Sequence, residues 1–440
     1  MVRGQTWEES TVPEHCAATI GGPEEQLSAE QLRAFVAGQL ATLDLDGRSV
    51  CLVVPDATRS CPLPLLVSVL HAELYGRARR MTVLVALGTH AAMSEERLAS
   101  WLGYPPGAVA DRYPGLSVRN HEWWDPAIFF TAGHIPGERI AELSGGLLRA
   151  GVDVRVNRAV VEHDVTIIVG PVFPHEVVGF SGGNKYLFPG LSGPEVIDVS
   201  HWLGALITSR DIIGTTGITP VRALIHEAAS LVPGERHALC LVVRSGSDAL
   251  HSAAFGDPVS AWAAAAAVSA QVHIKYLEAP VRRVLSLIPT KYDDMWTAAK
   301  GFYKVEPVTA DDGQVVVYAP HITTISEMHP EIEEIGYHTR DYFVEQWDRF
   351  RHLHWGVLAH STHLRGAGTF DDIAGERCRV TVTLATGISE QRVRAAGLDY
   401  SDPADIDIGA WRADPDTLVV PDAGEVLFRL RGPAEPRTTS

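Results

Sequence analysis

The chain alternates short, unbroken apolar runs with polar loops and amphipathic stretches. Three runs stand out, at residues 49–54, 81–87 and 164–169. None alternates apolar with polar positions, so each is predicted to be a strand buried on both faces of a parallel sheet. A polar loop follows every run. Asp56, Ala57, Thr58 and Arg59 follow the first, Gly88, Thr89 and His90 the second, and a longer loop from His175 to Lys185 the third. Ser94 with Glu95 and Glu96 behind it predicts a helix start, because a hydroxyl caps the first turn and acids suit it. Loops that leave the strand C-termini of a parallel sheet share one edge, where ligands bind. All three polar loops are therefore expected to face one crevice.

Farther along, residues 253–270 are Ala-rich and predict a helix. A β-like run at 281–288 opens a second unit, in which 293–301 reads as a loop entering a helix. More strands are predicted at 314–318, 352–358 and 379–384. Segment 417–430 carries strand signals and is expected to return to the first unit, and the last ten residues to be disordered. The fold class expected is α/β, with two α/β domains and parallel-rich sheets. Their ranges are 1–277, joined by 417–440, and 278–416.

Composition narrows the function. The 440 residues exceed one ordinary core, and 46 % hydrophobic with 21 % charged residues is globular. A formal charge of −17 argues against a nucleic-acid partner. It leaves room for a small anionic substrate, since local charge sets such a site. Cys16, Cys51, Cys61, Cys240 and Cys378 form no C-x-x-C pair, as expected of buried thiols in a reducing compartment. Residues 1–17 lack the apolar core of a signal peptide, and no apolar run is long enough for a bilayer. A cytoplasmic protein without a membrane partner is the expectation.

The loop chemistry is richest between His175 and Lys185. Gly182 and Gly183 allow positive φ and suit a phosphate cradle, with Ser181 beside them. Lys185 offers either a point charge for phosphate or, once desolvated, a nucleophile. A Gly-Gly-x-Lys turn alone is also an ordinary surface turn. His90, His175 and His201 belong to or near these loops but lack the close spacing of a zinc site. Asp56 and Arg59 suit a ribose hydroxyl or a carboxylate, although Asp-x-Thr-Arg is equally a capping turn. His352, His354, His360 and His363 read as structural, on a strand and a loop.

Together these motifs resemble the lactate racemase family that depends on a nickel-pincer nucleotide. The resemblance runs from about residue 43 to the C-terminus, and its most specific element is His175-x-x-x-Gly-Phe-Ser-Gly-Gly-x-Lys185. Asp56-x-Thr58-Arg59-x-x-Pro62 and Gly88-Thr89-His90 match two further family loops. The resemblance implies that His90 and His175 are the catalytic acid and base. It also implies that Lys185 bonds covalently to the cofactor, pyridinium-3-thioamide-5-thiocarboxylic acid mononucleotide, and that His201 binds its nickel. Asp56, Thr58, Ser181, Gly182 and Gly183 would surround the nucleotide. Arg59, Thr297, Lys300 and Trp347 would bind the substrate, a small 2-hydroxy acid inverted at C2. The family also implies an interdomain site and biosynthesis proteins that supply the cofactor.

Three residues depart from the family pattern. Thr297 replaces a substrate-touching glutamine, Asn184 a basic residue, and Ser200 an asparagine. A sugar-acid 2-epimerase, a malate or aryl-lactate racemase and a non-catalytic cofactor carrier are the alternatives. An NAD-dependent dehydrogenase is disfavoured because no G-x-G-x-x-G follows a predicted strand.

Overall fold

The three apolar runs become neighbouring strands because burial on both faces leaves them no solvent side. In the computed structural model, which describes residues 17–88 and 90–431, they are Arg80–Ala86, Ser49–Pro55 and Val165–Pro171. The last two are buried at every position. Leu116–Asn120 lies outside Arg80–Ala86, and Glu235–Val243 lies outside Val165–Pro171, all five strands being parallel. Leu250–Gly256 and then Ala18–Gly21 complete seven strands by antiparallel pairing.

Strand order reverses between Ser49–Pro55 and Val165–Pro171. From the first strand the chain steps outward to one edge, then returns to the other side. Such a reversal opens a crevice beyond the strand C-termini. The Asp56 loop and the His175–Lys185 loop leave the two strands that flank it. Helix Glu95–Leu102 starts as expected, with the Ser94 side chain accepting from Arg97 N.

The chain divides into two compact units, Met1–Leu203 with Thr215–Val272, and Gly204–Gly214 with His273–Ser440. The second contains a five-stranded parallel sheet in the order Asp399–Tyr400, Val380–Thr386, Thr309–Ala319, Val281–Leu287, Thr417–Val420.

Three expectations need correction. Segment 417–430 does not return to the first unit. Thr417–Val420 pairs with Val281–Leu287, and Leu427–Leu430 with Ile274–Leu277, so their backbone groups are satisfied within the second unit. Residues 253–256 are strand, not helix, because they pair with Glu235–Val243. The helix Pro258–His273 starts only where the Asp257 carboxylate caps Val259 N and Ser260 N. Residues 355–358 open the helix Trp355–His363, whose consecutive buried positions hide the strand–helix distinction.

Cys51, Cys61 and Cys240 are buried free thiols. Burial pushes the Cys61 thiol well up, with Asp248 adding to it, so it stays protonated beside the first loop. No helix among the described residues is long and apolar enough to cross a membrane. The expectations for Cys16, Thr89, the polar residues 1–16 and the tail 432–440 fall outside the described residues.

Candidate active site

The first two loops meet through one short contact. Asp56, 7 % exposed at the end of its strand, lies with Oδ2 2.5 Å from His90 Nδ1. A carboxylate only accepts, so Nδ1 carries a proton, and in the neutral ring Nε2 keeps the lone pair. The other carboxylate oxygen accepts from Thr58 N at 3.1 Å and from its hydroxyl at 2.7 Å. Burial alone pushes the Asp56 carboxyl up. The charge and hydrogen bond of His90 and the two Thr58 bonds outweigh it, holding the group well below the carboxylate range. Two indoles steady the same loops, Trp101 donating to Pro55 O at 2.9 Å and Trp123 to His90 O at 3.1 Å. Asp56, read from sequence as a ribose or carboxylate contact, therefore orients His90.

His175 begins the third loop, in a tight hairpin where Pro174–His175 pairs with Gly179–Phe180. Val177 N donates to its Nδ1 at 3.2 Å. In the neutral ring that leaves the proton on Nε2, opposite to His90. Glu176 Oε2, 3.3 Å from the same nitrogen, sets a negative charge beside the ring.

Lys185 sits in the 3₁₀ turn Gly183–Tyr186. Its amine is pulled down to about 8, first by desolvation, then by Arg59 and Arg222 acting against Glu176 and Asp56. These couplings gather Asp56, Arg59, Glu176 and Lys185 in one neighbourhood. The expected phosphate cradle looks different. Ser181 Oγ accepts from Phe173 N at 2.9 Å and donates to Pro171 O at 3.4 Å. Gly182 and Gly183 have φ of 90° and 57°. An added Cβ would lie 2.6 Å from Val172 Cγ2 at the first and 2.7 Å from Pro258 O at the second. These residues shape the turn by packing inward.

Gly170 is the floor under that turn. A Cβ there would stand 2.2 Å from the Tyr186 hydroxyl. Gly170→Ala is expected to destabilise the fold by about 1–3 kcal/mol, because overpacking must displace the ring. A urea midpoint equal to that of the unaltered chain would show that Tyr186 moves aside at no cost.

His201 lies on the helix Pro194–Ile207, with Nδ1 2.7 Å from Ile197 O. Nδ1–H donates to that carbonyl, so Nε2 holds the lone pair a metal requires. Among the described residues no three His, Cys, Asp or Glu side chains come together as a metal cage.

The second unit holds the other proposed residues. Asp294 caps a helical turn by accepting from Thr297 N, and the Thr297 hydroxyl donates to the same carboxylate at 2.8 Å. Lys300 is buried, donates to Thr297 O at 3.3 Å and lies 4.8 Å above the Tyr292 ring. Trp347 starts a short helix and its ring is 5.3 Å from that of Trp355. Of the four histidines read as structural, His352 and His354 are exposed. His360 stacks on Trp296 at 3.6 Å, and His363 meets Tyr303 edge-on. Glu176, Trp101, Trp123, Arg222 and Trp262 were not singled out from sequence. Only Glu176, beside His175 inside a motif, carried a local signal.

Comparison with known proteins places the chain among similar sequences and folds. The family model for the lactate racemase N-terminal domain matches residues 21–126 and 138–214. The lactate racemase of Lactiplantibacillus plantarum is 26 % identical over 155 residues, and that of Thermoanaerobacterium thermosaccharolyticum 24 % over 158. Each alignment covers 35 % of this chain and 32 % of the relative, so the match spans about a third of those proteins. A crystal structure of a Thermotoga maritima protein is 30 % identical, with a TM-score of 0.85, over 94 % of this chain and 100 % of its own. The apoprotein of the Thermoanaerobacterium lactate racemase, 17 % identical, shares the fold with a TM-score of 0.71 over 92 % and 93 % of the two chains. Residues 21–126 and 138–214 are thus similar to the lactate racemase N-terminal domain, and the chain as a whole shares the lactate racemase fold.

Proposed function

We propose that this protein inverts the C2 carbinol of a small 2-hydroxy acid, with His90 and His175 as base and acid. The observation that carries this reading is that the Nδ1 atoms of the two rings meet different partners, a carboxylate at His90 and a backbone N–H at His175. In the neutral rings, Asp56 favours a lone pair on His90 Nε2, and the Val177 N–H favours a proton on His175 Nε2. Inversion needs that pairing, since one face must lose a hydroxyl proton while the other regains one. The roles exchange when the opposite enantiomer enters.

Taking the Cα hydrogen as a proton would leave a doubly negative enediolate, and no side chain accepts a hydride. When bound, a nickel-pincer nucleotide supplies that electrophilic acceptor. Two features of this chain fit such a group. Lys185 has an amine of lowered proton affinity, suited to a covalent bond, and His201 presents a metal-ready Nε2. Among the described residues no cage of three protein ligands forms, so His201 would hold the metal together with the nucleotide. Ser181, Gly182 and Gly183 would act by shaping the lysine turn. The Arg59 guanidinium suits the substrate carboxylate. Lys300, Thr297 and Trp347 are proposed substrate contacts on the family resemblance.

Co-expression with pincer-nucleotide biosynthesis enzymes tests this. Nickel in the protein and a nucleotide adduct on the Lys185 peptide are expected, and His201→Ala should lose nickel while keeping the adduct. Folded protein carrying neither would overturn the cofactor assignment. Solvent deuterium at Cα of product formed in heavy water would replace the hydride route by proton abstraction.

A further inference from the structure

A buried arginine stands behind the lysine turn. Arg222, on the helix Pro220–Ser230, has no exposed surface. Among the described residues no carboxylate acts on its charge, and an unpaired buried ion is costly. Its guanidinium donates to Gly182 O at 3.0 Å and to Phe180 O. It also covers the ring of Trp262 at 4.2 Å, and the Trp262 indole donates to Ser181 O at 3.0 Å. Two side chains thus hold three consecutive carbonyls. Gly182 O accepts from Lys185 N as well, at 3.3 Å, so one oxygen joins Arg222 to the turn that carries the lysine. One helical turn on, His226 approaches the Asn184 amide at 3.5 Å.

We propose that Arg222 is a positioning residue for Lys185, fixing the backbone of residues 180–182 and setting a cation behind the turn that carries the lysine. The inference rests on the reading of Lys185 as the attachment point. A neutral donor could also bind the carbonyls, though more weakly, and would avoid the cost of burying charge. What the charge adds is a like neighbour that opposes protonation of the amine. Asp56, Arg59, Glu176 and Arg222 are the charged groups that bear on Lys185, and two of the four are cationic. Burial lowers the guanidinium itself to about 9, so it stays charged at neutral pH. An amine at about 8 has roughly 300 times more free base at pH 7 than one at the ordinary 10.5.

The test is competitive labelling of the full-length, cofactor-free chain with acetic anhydride across pH, read on the Lys185 peptide by mass spectrometry. The unaltered protein should show a midpoint near 8. Arg222→Gln, which keeps a donor and removes the charge, should raise the midpoint and reduce labelling at pH 7 several-fold. Arg222→Lys, which keeps a charge, should lie closer to the unaltered chain. A folded Arg222→Gln protein with an unchanged midpoint would overturn the proposal. If that variant does not fold, the unaltered chain still decides, because an ordinary lysine midpoint there leaves Arg222 nothing to set. No cofactor enters this measurement, so its failure is distinct from a failure to bind nickel.

Discussion

Asp56→Asn is expected to cut turnover by about 10²–10⁴-fold with the fold retained. The geometry makes this a tautomer experiment. Thr58 donates twice to one Asp56 oxygen, so an asparagine there would keep its carbonyl toward Thr58 and turn its NH₂ toward His90. That amide would donate to Nδ1 and move the ring proton to Nε2, where a base needs a lone pair. Asp56→Ala leaves the ring unpinned without forcing the wrong form, and should lose less. Equal activity in Asp56→Asn and the unaltered enzyme would remove Asp56 from this role. The pH sense also follows. A carboxyl with depressed affinity stabilises the fold above its unfolded value, near 3.9, and loses that contribution as pH falls through its folded value. Between pH 5 and 8 the carboxylate stays ionised, so an acid limb of activity there would arise from other groups.

The second large effect belongs to His175. Glutamine at this position can still accept the Val177 N–H but cannot exchange a proton with the substrate hydroxyl. A loss of about 10²–10⁴-fold is expected. For a racemised pair the equilibrium constant is one, so kcat/KM must fall by the same factor from either pure enantiomer, even where kcat and KM shift separately. Initial rates from both enantiomers measure this, and a variant with undiminished kcat/KM would exclude His175 as an acid.

The central strands and their loops were legible because doubly buried strands are unbroken apolar runs, and parallel topology aligns the loops that leave them. The lysine segment was legible as a motif. Other features depend on partners remote in sequence. Ala253 and Ala254 favour helix by local propensity, and only the pairing with Glu235–Val243 makes them strand. The edge position of Thr417–Val420 is set by a bond ladder to a distant strand. Asp56 looked like a ligand or a cap because nothing near it in the chain reveals His90. Arg222 lies in an amphipathic helix, where an arginine ordinarily reads as a solvent-facing residue, and only tertiary packing shows that it is buried.

The reversal of strand order has a consequence for synthesis. Asp56 and His90 leave the ribosome well before Lys185, and the strands that carry the two halves become neighbours only when Val165–Pro171 enters beside Ser49–Pro55. The side chains that brace the lysine turn come later still, with Arg222 and Trp262. A nascent chain therefore carries an ordinary lysine, and the unusual amine appears only in the finished fold. Any enzyme that loads this position by exploiting its reactivity discriminates, without further machinery, between folded and unfolded copies.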